Sequence, residues 1–194
     1  MLAGRNHINS FALCVKYQIK GVDMTSHIIL RQKIGEIDKD ALARNAPYIA
    51  GLLDGEGTFT IRWNRRARSP NFQPLIMVAM THKGVIKYLA ETLKVTYETK
   101  ERINQRTYYL LRVTTKDDIV MILNALMPYL KVKKEHAKII LELIDLKARP
   151  YTRENVTRMT ELYLKIRQLN PKGSPFDPDK LKSDLDQYIE NCFK

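Results

Sequence analysis

Two acidic residues, Asp54 and Glu56, stand among the glycines of the run Ile49–Gly57 (IAGLLDGEG), at the foot of a short apolar helix. Gly51 and Gly55 are four apart and share one helical face, so a partner helix can approach there backbone to backbone. Two copies crossing on that face bring their Glu56 carboxylates together at the bottom of the interface. Carboxylates at close range repel unless a cation lies between them, and Mg2+, a hard oxygen-seeking ion, suits that position. Such a centre orients water, polarises a phosphate oxygen and stabilises a departing alkoxide, which is the equipment of phosphodiester hydrolysis. Taken alone, the same residues also describe close helix packing with a solvated acid.

The elements that must position this motif follow from periodicity. Asn45 or Ala46 can cap a helix with Pro47 in its first turn, where a missing N–H is harmless; the helix covers Tyr48–Asp54, and Gly55–Gly57 ends it. A strand with period-two alternation runs from Thr58 to about Arg66, followed by the turn RRARSPN and a second strand over Phe72–Met80. Gly84–Leu93 reads as a helix. Val95–Ile103 and Thr107–Thr115 read as a hairpin around Asn104-Gln105. Asp117–Leu126 is helical up to Pro128, and Val132–Leu146 is amphipathic, with Ala137, Ile140, Leu141 and Ile144 on one stripe. The fold class is therefore α+β: an α-β-β-α-β-β-α core over 45–148 with a twisted antiparallel four-stranded sheet. An N-terminal extension covers 1–44. A C-terminal helical extension covers 149–194, with helices over Arg153–Leu169 and Asp179–Cys192, and Asp177 suited to capping the second.

Composition narrows the partner. The 194-residue chain carries a net charge of +12, with 44% hydrophobic and 28% charged residues, a soluble globular balance whose surplus favours a polyanion. A membrane partner is disfavoured because no apolar run approaches the ~18 residues needed to span. The FALCV stretch is too short for a signal-peptide core. Cys14 and Cys192 lie near opposite ends and form neither a disulfide framework nor a CxxC clip. The expected setting is the reducing interior of a cell or organelle.

Double-stranded DNA is the polyanion that the strands fit. In the first strand Phe59, Ile61 and Trp63 share one face, and Thr60, Arg62, Asn64 and Arg66 share the other. A twisted antiparallel ribbon enters the major groove, where Arg reads guanine and Asn reads adenine. The fourth strand offers Arg106, Tyr108 and Arg112, the third Lys100 and Arg102, and the second mainly Gln73. Arg65, Arg68 and Lys131 suit phosphates, which give affinity without sequence information. His82 and His136 are isolated, without ligand spacing, and read as surface or boundary residues.

IAGLLDGEG resembles the LAGLIDADG signature of homing endonucleases, with Ile, Leu, Gly and Glu as variants at four positions. A second landmark, LMPYLKVKKEHA at Leu126–Ala137, resembles that family's proline-containing turn ahead of a long helix. The resemblance covers about Asn45–Leu146. It implies that Glu56 is the metal-binding acid and that Gly55 lends a backbone carbonyl to the metal. Asp54 would cap the neighbouring helix across a homodimer interface formed by Ala50, Gly51, Leu53, Asp54 and Gly55. Lys133 would be the active-site lysine. The polar residue ending the second strand, often glutamine in the family, is Thr81 here. The arginine that some members carry a turn later is Val85, leaving Lys83 as the substitute cation. The resemblance further implies Mg2+ as cofactor, with Mn2+ able to replace it and Ca2+ supporting binding with little cleavage. A single motif implies a homodimer cutting both strands of a long pseudo-palindromic site and leaving 3′ overhangs. Alternatives on the same scaffold are a maturase that binds its host intron RNA, or a non-cleaving DNA-binding protein.

Overall fold

The computed structural model describes residues 35–64, 71–101, 106–170 and 177–193. The element order is α1 (Lys39–Glu56), β1 (Gly57–Trp63), β2 (Phe72–Met80), α2 (Lys83–Leu93), β3 (Tyr97–Lys100), β4 (Tyr108–Val113), α3 (Lys116–Leu126), α4 (Lys134–Ala148), α5 (Arg153–Leu169) and α6 (Pro178–Cys192). The sheet is four-stranded in the order β1-β2-β4-β3, and each neighbouring pair is antiparallel. This is the expected α+β architecture.

The first helix starts earlier than periodicity suggests, and at a different cap. The Asp38 carboxylate accepts from the Asp40 and Ala41 N–H groups, satisfying two of the donors that a helix start leaves without partners. Pro47 thus lies inside α1 and not in its first turn. It removes the bond to the Ala43 carbonyl, but both residues are exposed, so water can serve that oxygen. The helix accordingly runs through the expected boundary at residues 44 and 45. Its buried stripe is Leu42, Ala46, Ile49, Ala50 and Leu53, spaced as a core-facing helix requires.

No loop separates α1 from β1. The Gly57 N–H still bonds to the Leu53 carbonyl, while its own backbone is already extended (φ −73°, ψ 152°). That conformation suits any residue. What demands glycine is proximity, because a Cβ here would lie 2.6 Å from the Leu53 carbonyl oxygen and 2.9 Å from its Cα. Glu56 is thereby held at the point where the helix becomes a strand.

Register sorts the sheet into two faces. Phe59, Ile61 and Trp63 of β1 pair with Ile76, Pro74 and Phe72 of β2, on the side covered by α1, α2 and α3. Thr58, Thr60 and Arg62 pair with Met77, Leu75 and Gln73 on the other side. Arg112 and Leu110 of β4 continue this outward face beside Met77 and Ala79, and Glu98 and Lys100 of β3 complete it. Helices α4 and α5 pack beside β1, and α6 packs on α5. Trp63 anchors this junction, its ring centroid 5.3 Å from that of Tyr188, 5.9 Å from Tyr163 and 6.3 Å from Phe72. Asp177 caps α6 through the Asp179 and Lys180 N–H groups, as expected. Among the described residues no helix is long and apolar enough to cross a membrane.

Candidate nuclease site

Asp54 organises the site. One carboxylate oxygen accepts from the Lys131 N–H at 2.7 Å and the other from the Lys133 N–H at 2.9 Å. These are donors just ahead of α4, whose N-cap residue is Lys133 and which has no side-chain cap of its own. The Lys133 ammonium returns a bond to the Asp54 carbonyl, one of the carbonyls left over at the negative end of α1. Asp54 therefore caps a helix start within its own chain. The sequence spacing could not show this, because 77 positions separate Asp54 from Lys131.

Partial burial pushes the Asp54 carboxyl up, but hydrogen bonds from the Lys131, Lys133 and Val132 N–H groups and the Lys133 charge outweigh it, so its pKa lies below the ordinary value. A carboxylate with a depressed folded-state pKa stabilises the fold above its unfolded pKa, and that contribution is lost as pH falls through the folded value. Asp54→Ala is therefore expected to cost about 1–2 kcal/mol at neutral pH, the scale of a lost helix cap. The deficit relative to wild type should shrink in acid, a pattern that urea unfolding at pH 7 and below pH 4 would check.

Lys133 and Glu56 face a common cleft of about 540 Å³, whose walls also include Gly55, Thr58, Thr60, His136, Arg167 and Asn170. Glu56, the last residue of α1, is exposed. Thr81 and Lys83 are exposed at the end of β2 and the start of α2. Thr81 lies at the same end of the β1–β2 pair as Glu56, since Gly57 pairs with Val78. Neither lines the cleft, and the Lys83 ammonium stands 5.8 Å from the Tyr109 ring centroid, directed toward β4. The second side-chain cation of the cleft is Arg167, from the last turn of α5, a contribution no local motif announces.

His136 is not a surface residue. It is 7% exposed in the cleft wall, and burial above all holds its pKa below the ordinary histidine value. The helical period of α4 places it with Ala137, Ile139 and Ile140 on the buried side. His82 caps α2, its Nδ1 accepting from the Val85 N–H at 3.3 Å.

The expected helix-crossing positions divide. Ala50 and Leu53 are 0% and 1% exposed inside the chain's own core, and truncating a buried leucine typically costs about 2–5 kcal/mol, so Leu53 is occupied in holding the fold. Gly51 and Gly55 are exposed, and an added Cβ at either would meet nothing within 4 Å among the described residues. Tyr48, 53% exposed, lies one turn above Gly51 on that side, and Val132, 70% exposed, lies on the loop that Asp54 holds.

On the outward face of the sheet, Thr60, Arg62, Gln73, Lys100, Tyr108 and Arg112 share the side that alternation assigns them. Asn64 is exposed just past β1 and Arg106 just before β4, and Lys131 is exposed in the loop ahead of α4. Arg65, Arg66, Arg68 and Arg102 lie outside the described residues. Three features of this face are not among the sequence expectations. Glu98 pairs with Arg112 and, at 2.7 Å, with Lys100; its parity with Lys100 is the available signal. Leu75 and Leu110, 2% and 6% exposed, lay an apolar floor between the charged positions, and Met77 lies beside Leu75 on the same face.

No protein-family model and no curated protein matches the sequence. Solved structures do match, and they define the class: the chain has the fold of the LAGLIDADG homing endonucleases. It is similar to the homing endonuclease I-CvuI in complex with a DNA target in the presence of magnesium (TM-score 0.62, 16% identity, 76% of this chain and 96% of that one). It is also similar to the archaeal intron-encoded homing endonuclease I-Vdi141I complexed with DNA (0.60, 20%, 78% and 98%). A third match is the LAGLIDADG homing endonuclease I-SmaMI bound to cleaved DNA (0.57, 14%), of which only 50% is covered by 80% of this chain.

Proposed function

We propose that the chain is a sequence-specific, metal-dependent DNA endonuclease of the LAGLIDADG homing type, working as a homodimer alongside its host genome. The observation that carries this reading is the cleft that the exposed Glu56 carboxylate shares with the Lys133 ammonium, itself held by Asp54, beside a helix face whose glycines Gly51 and Gly55 are exposed. Among the described residues no three His, Cys, Asp or Glu side chains gather at one point. One chain brings one carboxylate to the site, and a second copy crossing at the glycines would bring the other.

The donors fit a hard divalent cation: an exposed carboxylate and the Gly55 backbone carbonyl are oxygen ligands of the kind Mg2+ takes. Bound there, the metal would supply Lewis-acid polarisation and charge neutralisation at the scissile phosphate. Lys133 places a positive charge beside that phosphate and orders water, and its bond to the Asp54 carbonyl fixes where the charge sits. The outward face of the sheet lies in a major groove, positioned by Lys131 and the arginines on phosphates, while the two clefts act across the minor groove and leave 3′ overhangs.

Selection from a random duplex library in Ca2+, followed by Mg2+, tests this. The expected result is a recovered site of two-fold character that wild-type protein cuts on both strands. A tightly bound site left intact in Mg2+ would sink the nuclease reading, and enrichment of no duplex would turn attention to intron RNA. Arg62, exposed on β1, gives a finer check: Arg62→Ala should lose about 1–3 kcal/mol of discrimination at one base pair per half-site, seen as relaxed preference there on repeating the selection.

A further inference from the structure

The back of the same cleft is closed by a latch. His136 lies on the first turn of α4, three residues after Lys133. Its Nδ1 is buried without a partner, and the ring shares the cleft wall with Leu169 and Asn170, so the side of the imidazole that faces the Leu169 backbone and the Asn170 side chain is Nε2, placed to donate as N–H. The Asn170 amide nitrogen uses both its protons, donating to the Phe59 carbonyl at 2.9 Å and the Ile166 carbonyl at 3.0 Å. Its oxygen is left to face the imidazole. Asn170 is also the C-cap residue of α5. One histidine and one asparagine therefore join the start of α4, the end of α5 and the middle of β1.

Stability alone does not explain this histidine. A buried imidazole with one nitrogen unpaired is worse placed than an apolar side chain of similar volume. What the polar pair supplies is direction: it fixes the turn that carries Lys133 against the strand that carries Thr58 and Thr60 and leads out of Glu56. We propose that His136, acting through Asn170, is a positioning residue for phosphodiester cleavage, setting where Lys133 and Arg167 stand across the cleft from Glu56. The proposal rests on the nuclease reading above.

The test compares wild type, His136→Leu and His136→Gln on the recovered duplex, the glutamine because its amide can present an N–H where Nε2 does. Single-turnover cleavage in Mg2+ is measured beside affinity in Ca2+ and thermal stability. For His136→Leu we expect cleavage slowed by about 30- to 100-fold, the scale of an ångström-level misplacement, with affinity within about threefold and only a small drop in melting temperature, since the Asn170 oxygen loses its donor while the ring's unpaired nitrogen is removed with it. His136→Gln should recover most of the rate. Wild-type cleavage by His136→Leu, or a folded glutamine variant as slow as the leucine one, overturns the proposal. If wild type itself leaves the DNA intact, the nuclease reading has failed, and the latch is judged separately by 15N spectra of the histidines. A neutral His136 protonated at Nε2, whose signal moves in Asn170→Ala, upholds the latch; protonation at Nδ1 overturns it.

Discussion

Glu56→Gln is expected to abolish cleavage while leaving DNA binding within a few-fold of wild type. Glutamine keeps the size and hydrogen-bonding reach of the side chain but removes the charge, and a neutral amide oxygen is a poor ligand for a hard divalent ion. Loss of one preorganised electrostatic group typically slows an enzyme by about 10²–10³-fold. Here two copies of Glu56 would be lost from one dimer, so the effect should exceed that range. The fold should not notice, because Glu56 is exposed and lies past the last buried residue of α1. Cleavage assays in Mg2+ paired with binding in Ca2+ separate the two effects. A Glu56→Gln protein that still cuts would move the metal-binding acid elsewhere in the chain.

The second large effect concerns assembly. On the proposed homodimer, Gly51→Leu should leave the chain folded but monomeric, ending cleavage by removing the second carboxylate. A Cβ at Gly51 meets nothing within 4 Å among the described residues, and leucine raises helix propensity by about 1 kcal/mol over glycine in a helix interior. The side chain would occupy the space that an approaching backbone needs. Sedimentation and circular dichroism are measured together, and intact helicity at half the mass is the expected outcome. An unchanged dimer would show that α1 does not cross its partner at the glycines. Gly57→Ala is a poor control, since its Cβ would collide with the Leu53 backbone and damage the fold directly.

The elements are legible wherever the pattern is local. Strand β1 displays its two faces in the alternation of Phe59, Ile61 and Trp63 with Thr60 and Arg62, and pairing with β2 keeps those faces. Helix α5 has the expected bounds at Arg153 and Leu169. The start of α1 differs because proline is strongest as a signal in a first turn, whereas Pro47 sits on a solvent-facing side where the lost bond is tolerable. Of the site, the motif supplies Glu56 and the second landmark supplies Lys133, and the fold brings both to one cleft. What the sequence conceals is long-range: the Asp54 cap on α4, and Arg167 and Asn170 arriving from α5. Such contacts leave no periodic trace, since each depends on how helices dock and not on neighbours along the chain.

The chain has a single tryptophan, and that ring sits where β1, β2, α5 and α6 converge. The molecule thus carries its own optical gauge at one location. Fluorescence followed during denaturation records the release of the C-terminal helices from the strand hairpin, while circular dichroism weighs every helix, including α1. Where the two curves separate, the order in which the two ends of the fold let go can be read without attaching any label.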